Sequence, residues 1–107
     1  MLASKKQSRI KNSIREGTIT TKFIFRLFVS GRMHNSIRAI KNFKEICEQF
    51  LKGNYELEVI DIYQQPELAI NEGIIVVPIL IIKRPLPERR IIGDLSDRQK
   101  VMDILNF

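Results

Sequence analysis

The chain has one cysteine, Cys47, in 107 residues. A lone cysteine closes no intramolecular disulfide, and it excludes the two-thiol C-x-x-C cycle of a dithiol redox enzyme. The amino-terminal stretch MLASKKQSRIKNS has no apolar segment of the kind a secretory signal needs. The longest apolar run, Ile74 to Ile82, is nine residues long and contains a proline, well short of the ~18 that cross a bilayer. These absences predict a cytoplasmic protein with no membrane span. None of the five glycines is paired at P-loop or dinucleotide-motif spacing, so no cofactor is expected and any nucleotide that matters belongs to a partner. His34 is the single histidine and has no cysteine near it, which leaves zinc without a second soft ligand.

Acidic side chains are scarce at the amino terminus. Residues 1–22 carry Lys5, Lys6, Arg9, Lys11, Arg15 and Lys22 against Glu16 alone, a net +5 out of +6 for the whole chain. The body, 23–107, is nearly neutral. A basic cluster attracts nucleic acid or an acidic partner, and a nucleic-acid-binding module is one function class this charge admits. The same stretch offers no aromatic residue to stack on a base, which favours a solvated extension or a weak helix around Ile10 and Ile14. The rest of the chain is long enough for one domain with a core.

What the body contains is regular. FIFRLFV (Phe23 to Val29) reads as a buried strand interrupted only by Arg26. From Ser36 a helical pattern places Ile37, Ile40, Phe43, Cys47, Phe50 and Leu51 on one face, with Gly53 suited to a left-handed cap. Tyr55 to Ile62 is a second strand. QQPELAINEG holds a short helix, with Pro66 at its first position and Gly73 just past its end. The run GIIVVPILII then divides at Pro78 into a lead-in and a strand from Ile79, because a proline, lacking its N–H, costs little at a strand's start. After KRPLPER comes a short strand, RRIIG, and SDRQ (Ser96 to Gln99) has capping-box spacing before a last helix through Val101, Met102 and Leu105. The order strand, helix, strand, short helix, strand, strand, helix predicts an α/β, thioredoxin-like fold. Its first two strands are parallel and its last two antiparallel, and a proline, usually cis, precedes the third strand. The loop SGRMHNS, where that fold carries its redox motif, has no cysteine. Cys47 falls on the apolar face as a buried structural thiol, and Asp94 and Asp97 are acids beside a helix N-terminus rather than a catalytic pair.

Several stretches together resemble the circadian-clock KaiB family: LFVSG, NSIRAIKNF, YELEVIDI, QQPELA, the proline of VVPIL and, most specifically, RPLPERRIIGDLSDRQKV. The resemblance covers Phe23 to about Leu105. It implies a non-enzymatic regulatory adapter that binds the hexameric ATPase KaiC, or a related signalling partner, and assembles with itself as a dimer or tetramer. It also implies a metamorphic second half, which adopts either the thioredoxin-like arrangement or an alternative ground-state packing; Pro78, Gly93, Asp94 and Ile104 lie in the part that refolds. Arg38 and Arg90 match arginines of the family's binding pattern. Glu58 and Gly73 stand where the family typically has lysines, and Ile104 stands where a glycine is common in the last helix. These departures leave room for a thioredoxin-fold adapter in stress or redox signalling that does not bind KaiC.

Overall fold

The computed structural model describes residues 22–106. Of the basic stretch expected over 1–22, only Lys22 falls among them; the helix anticipated around Ile10 and Ile14 lies outside. The elements run β1 (Phe23–Val29), α1 (His34–Phe50), β2 (Tyr55–Asp61), α2 (Pro66–Asn71), β3 (Ile79–Arg84), β4 (Arg89–Ile92) and α3 (Arg98–Ile104). They form a four-stranded sheet in the order β2-β1-β3-β4, with β1 parallel to β2 and the other neighbours antiparallel. This is the predicted thioredoxin-like topology. No helix among the described residues is long and apolar enough to cross a membrane.

Two apolar cores lie on opposite faces of the sheet. On one, Phe25, Leu27, Val29, Leu80, Ile82 and Ile91 pack against Ala39, Phe43, Ile46 and Cys47 of α1 and Val101 of α3. The Phe25 and Phe43 rings meet edge to face, with centroids 4.7 Å apart. On the other, Phe28, Ile60, Ile79 and Ile81 are covered near α2 by Ala69. Strand β3 is central, so Ile79 to Ile82 are all buried, alternating between faces. The apolar density of GIIVVPILII therefore serves two cores, not one face.

The lead-in ends where expected: Val77–Pro78 is cis and β3 begins at the next residue. The last helix departs slightly, since its cap is Asp97, whose carboxylate accepts the Lys100 N–H at 3.1 Å, and not Ser96. Helix α1 starts at His34, two residues before the expected Ser36. Its buried stripe is also rotated. Ile37 and Phe50 are 53% and 41% exposed, while Ser36, Ala39 and Ile46 are buried. The face that meets the sheet runs through Ser36, Ala39, Phe43, Ile46 and Cys47, mixing small and large residues that interlock with the strands, and it leaves Ile37 and Phe50 at its edges.

Candidate functional site: a charged row on the open half of the sheet

Helix α2 covers only part of its face. Beyond it the alternation of the strands presents charge where the covered part presents isoleucine and phenylalanine. Strand pairing sets one row across the whole sheet: Glu58 on β2 opposite Arg26 on β1, Arg26 opposite Ile81 on β3, and Ile81 opposite Arg90 on β4. The β1–β3 register shifts between Ile24 and Phe25, which pair with Arg84 and Ile82 and leave Lys83 as the extra residue. Such a bulge re-aims side chains, and here Lys83 and Arg84 both line an open groove of about 630 Å³ together with Ile24, Arg26, Glu56, Leu57 and Glu58.

Glu72, at the end of α2, descends onto this row. Its Oε2 accepts from Lys83 Nζ at 2.8 Å and Arg26 Nη1 at 3.4 Å, and its Oε1 from Arg90 Nη2 at 3.2 Å. Glu58 accepts from Arg26 Nε at 3.1 Å, while Glu88 accepts from Lys83 at 3.2 Å and Arg90 at 3.5 Å. Three carboxylates and three cations thus form one connected network with no net charge. Glu72 is its most sheltered member, its side chain 14% exposed against 28% for Lys83 and 35% for Arg90. The hydrogen bond to Glu72 is the main cause of a raised Lys83 pKa, and the bond from Lys83 holds the Glu88 carboxyl below its ordinary value.

The chain places Glu72 through a Schellman turn. Gly73 N–H donates to the Ile70 carbonyl at 3.0 Å and Ile74 N–H to the Ala69 carbonyl at 2.9 Å. Gly73 has φ +68°, a left-handed conformation that glycine adopts without the steric cost of a Cβ. Gly73 is thus the hinge of the turn that carries Glu72.

Of the eight residues singled out from sequence, Glu58 and Arg90 mark the two ends of the charged row, with Gly73 beside its centre. Arg38 and Asp94 lie elsewhere. Arg38 Nε donates to Asp94 Oδ2 at 3.1 Å, and its Nη2 donates to Asn35 Oδ1. The Asp94 carbonyl accepts Asn42 Nδ2 at 2.9 Å. Bonds from Ser96 first, and then Arg38, hold the Asp94 carboxyl below its ordinary value. Next to it Gly93, at φ +115°, donates its N–H to the Pro78 carbonyl at 2.9 Å. Pro78, Gly93, Asp94 and Arg38 therefore form a second group joining β3, β4 and α1. Ile104 belongs to neither; its carbonyl accepts Arg89 Nη1, which ties the end of α3 to β4.

Sequence reading missed Arg26, Glu72, Lys83 and Glu88. A partial signal was present, since Glu56 and Glu58 alternate within β2 and Arg26 is the one charge in β1, marking the uncovered part of a face. The redox readings are now placed: Cys47 is buried among apolar neighbours, which pushes its thiol up to about 12, so it stays protonated at neutral pH. His34 is the exposed first residue of α1.

Comparison with known proteins fits this architecture. The "Circadian clock oscillator protein KaiB" of Prochlorococcus marinus is 50% identical over 80 residues, covering 75% of each chain. That of Synechococcus elongatus is 49% identical over 80 residues, covering 75% of this chain and 78% of its own. Among solved structures, the N-terminal domain of Synechococcus elongatus SasA superposes with a TM-score of 0.65 at 22% identity, covering 91% of this chain and 96% of that domain. Chloroplastic thioredoxin z gives 0.68 at 19% identity, covering 79% and 76%. Both support the thioredoxin-like fold. The KaiB domain family model matches residues 26–107, beginning at Arg26 of the charged row, and the chain belongs to the KaiB family.

Proposed function

We propose that this protein is a non-enzymatic regulator of the clock type that docks on a KaiC-like hexameric ATPase through the open half of its sheet. The observation that carries this reading is the half-identical match to circadian clock oscillator proteins across three quarters of the chain. Local chemistry supports it. A thioredoxin-like frame whose single thiol is buried and protonated has no route to disulfide exchange, while the charged row offers Arg90 and Glu58 at positions that a flat partner reaches together. In the thioredoxin-like state Arg90 and Arg38 both have internal counter-ions, so docking exchanges existing ion pairs for new ones. Co-elution of the purified chain with a KaiC hexamer, with and without ATP, tests the proposal. ATP-dependent complex formation supports it, and two separate peaks under both conditions contradict it.

Glu58 and Gly73 favour a second reading, an adapter of the same fold directed to a different signalling partner. A surface that meets an acidic partner with Glu58 in place of lysine carries the wrong sign there, and like charges in contact lower affinity and on-rate. Under that reading the wild type does not co-elute with KaiC, and Glu58→Lys gains affinity for it.

A further inference from the structure

We propose that Arg26, Lys83 and Arg90 form a carboxylate-binding site that Glu72 fills from within, and from which an acidic side chain of a protein partner displaces it. The inference deepens the docking reading by naming what Arg90 exchanges, and its chemistry can be tested with no ATPase present.

Three adjacent strands each send one cation to a single carboxylate, at 2.8, 3.2 and 3.4 Å. Convergence of this kind builds an anion site whichever carboxylate occupies it. The occupant is held by its side chain more than by its helix. Glu72 is the C-cap of a six-residue helix in which only Ala69 is buried. A carboxylate at a helix C-terminus has the wrong sign for the helix dipole, so the turn places the backbone of Glu72 while the sheet's cations, against the dipole, hold its carboxylate. The cations stay within reach, because Arg26 and Lys83 also line the open groove, beside an exposed Arg84 whose guanidinium donates to the Lys83 carbonyl. An incoming carboxylate meets them from the groove side while Glu72 leaves on the α2 side. The ligand class follows from the present occupant: the three cations already converge on a side-chain carboxylate, so the site takes the carboxylate of a protein segment.

The test uses the full chain as wild type, Glu72→Ala, Glu72→Gln and the double variant Glu72→Gln/Arg90→Gln, with acetate and a hexaglutamate peptide as probes. Arginine Nε and backbone amide resonances report binding, and thermal melts report stability. Acetate should saturate Glu72→Ala in the millimolar range and raise its melting temperature toward wild type, with chloride at matched ionic strength doing neither. Hexaglutamate should bind Glu72→Gln at least tenfold tighter than wild type, and the double variant should lose that gain. If Glu72→Ala does not fold, the nearly isosteric Glu72→Gln decides through the peptide alone. Equal peptide affinity for wild type and Glu72→Gln overturns the proposal, as does acetate acting no differently from chloride. Stronger binding of inorganic phosphate or single-stranded DNA than of hexaglutamate to Glu72→Gln overturns the ligand assignment.

Discussion

Replacing Gly73 by lysine sets an added charge against a backbone requirement. Gly73 sits at φ +68° with nothing within 4 Å of where a Cβ would stand. The cost is therefore conformational and not a clash. An L-residue in the left-handed region costs ~1–2 kcal/mol, and the entropy that a side chain removes from the unfolded chain returns roughly 0.5 kcal/mol. The net loss is about 1 kcal/mol, and for a domain of this size each kcal/mol shifts the midpoint by roughly 4–8 °C. Gly73→Lys should therefore melt about 4–8 °C below wild type by circular dichroism, while Gly73→Asn, which tolerates the left-handed region, should lose at most half as much. A Gly73→Lys melting temperature within 1 °C of wild type, or above it, would refute the argument that the Schellman turn selects glycine here.

Three further expectations follow from the same contacts. The depressed Asp94 and Glu88 carboxyls contribute stability that is present above the ordinary carboxylate range near pH 4 and lost as pH falls through their folded values. Lys83, whose pKa is raised, contributes below its ordinary value and loses that contribution as pH rises past it. Melting temperature should thus be level from about pH 5 to pH 9 and fall on both sides, with Asp94→Asn flattening the acid limb; an unchanged acid limb in that variant would remove Asp94 from the account. In an insulin-turbidity assay the protein should reduce no faster than Cys47→Ser, and a rate well above that control would contradict the buried, protonated thiol. Light scattering on the chain beginning near Thr21 should find a dimer or tetramer at tens of micromolar, with the exposed Ile75, Val76 and Ile92 as the natural contacts; a strict monomer would count against self-assembly through the body.

The features legible in the sequence are those set by neighbours along the chain. The Pro78 boundary, Pro66 and Gly73 around α2, and the alternating strands each follow from a few consecutive residues, and the topology followed from their order. The stripe of α1 was misplaced because periodicity weighted by size favours Ile37 and Phe50 over Ala39 and Ser36, and only the approach of the sheet decides between them. The network around Glu72 was beyond reach for another reason. It joins Arg26 to residues 32 and 46 positions away, and it depends on a bulge at Lys83 that no local pattern announces. Glu58 and Arg90 were found through resemblance to a family, and the row that connects them emerged only from strand register.

Docking of a KaiC-like ATPase on the open half of the sheet, as proposed, is tested most directly by titrating a KaiC hexamer in ATP with wild type and Arg90→Gln, each shown to be folded by its melt. A charge-assisted contact is worth ~1.5–3 kcal/mol, and Arg90 gives up its bonds to Glu72 and Glu88 to make it, so Arg90→Gln should bind several-fold to about tenfold more weakly than wild type. Equal affinity of Arg90→Gln and wild type, or no binding by either at saturating ATP, would contradict the account.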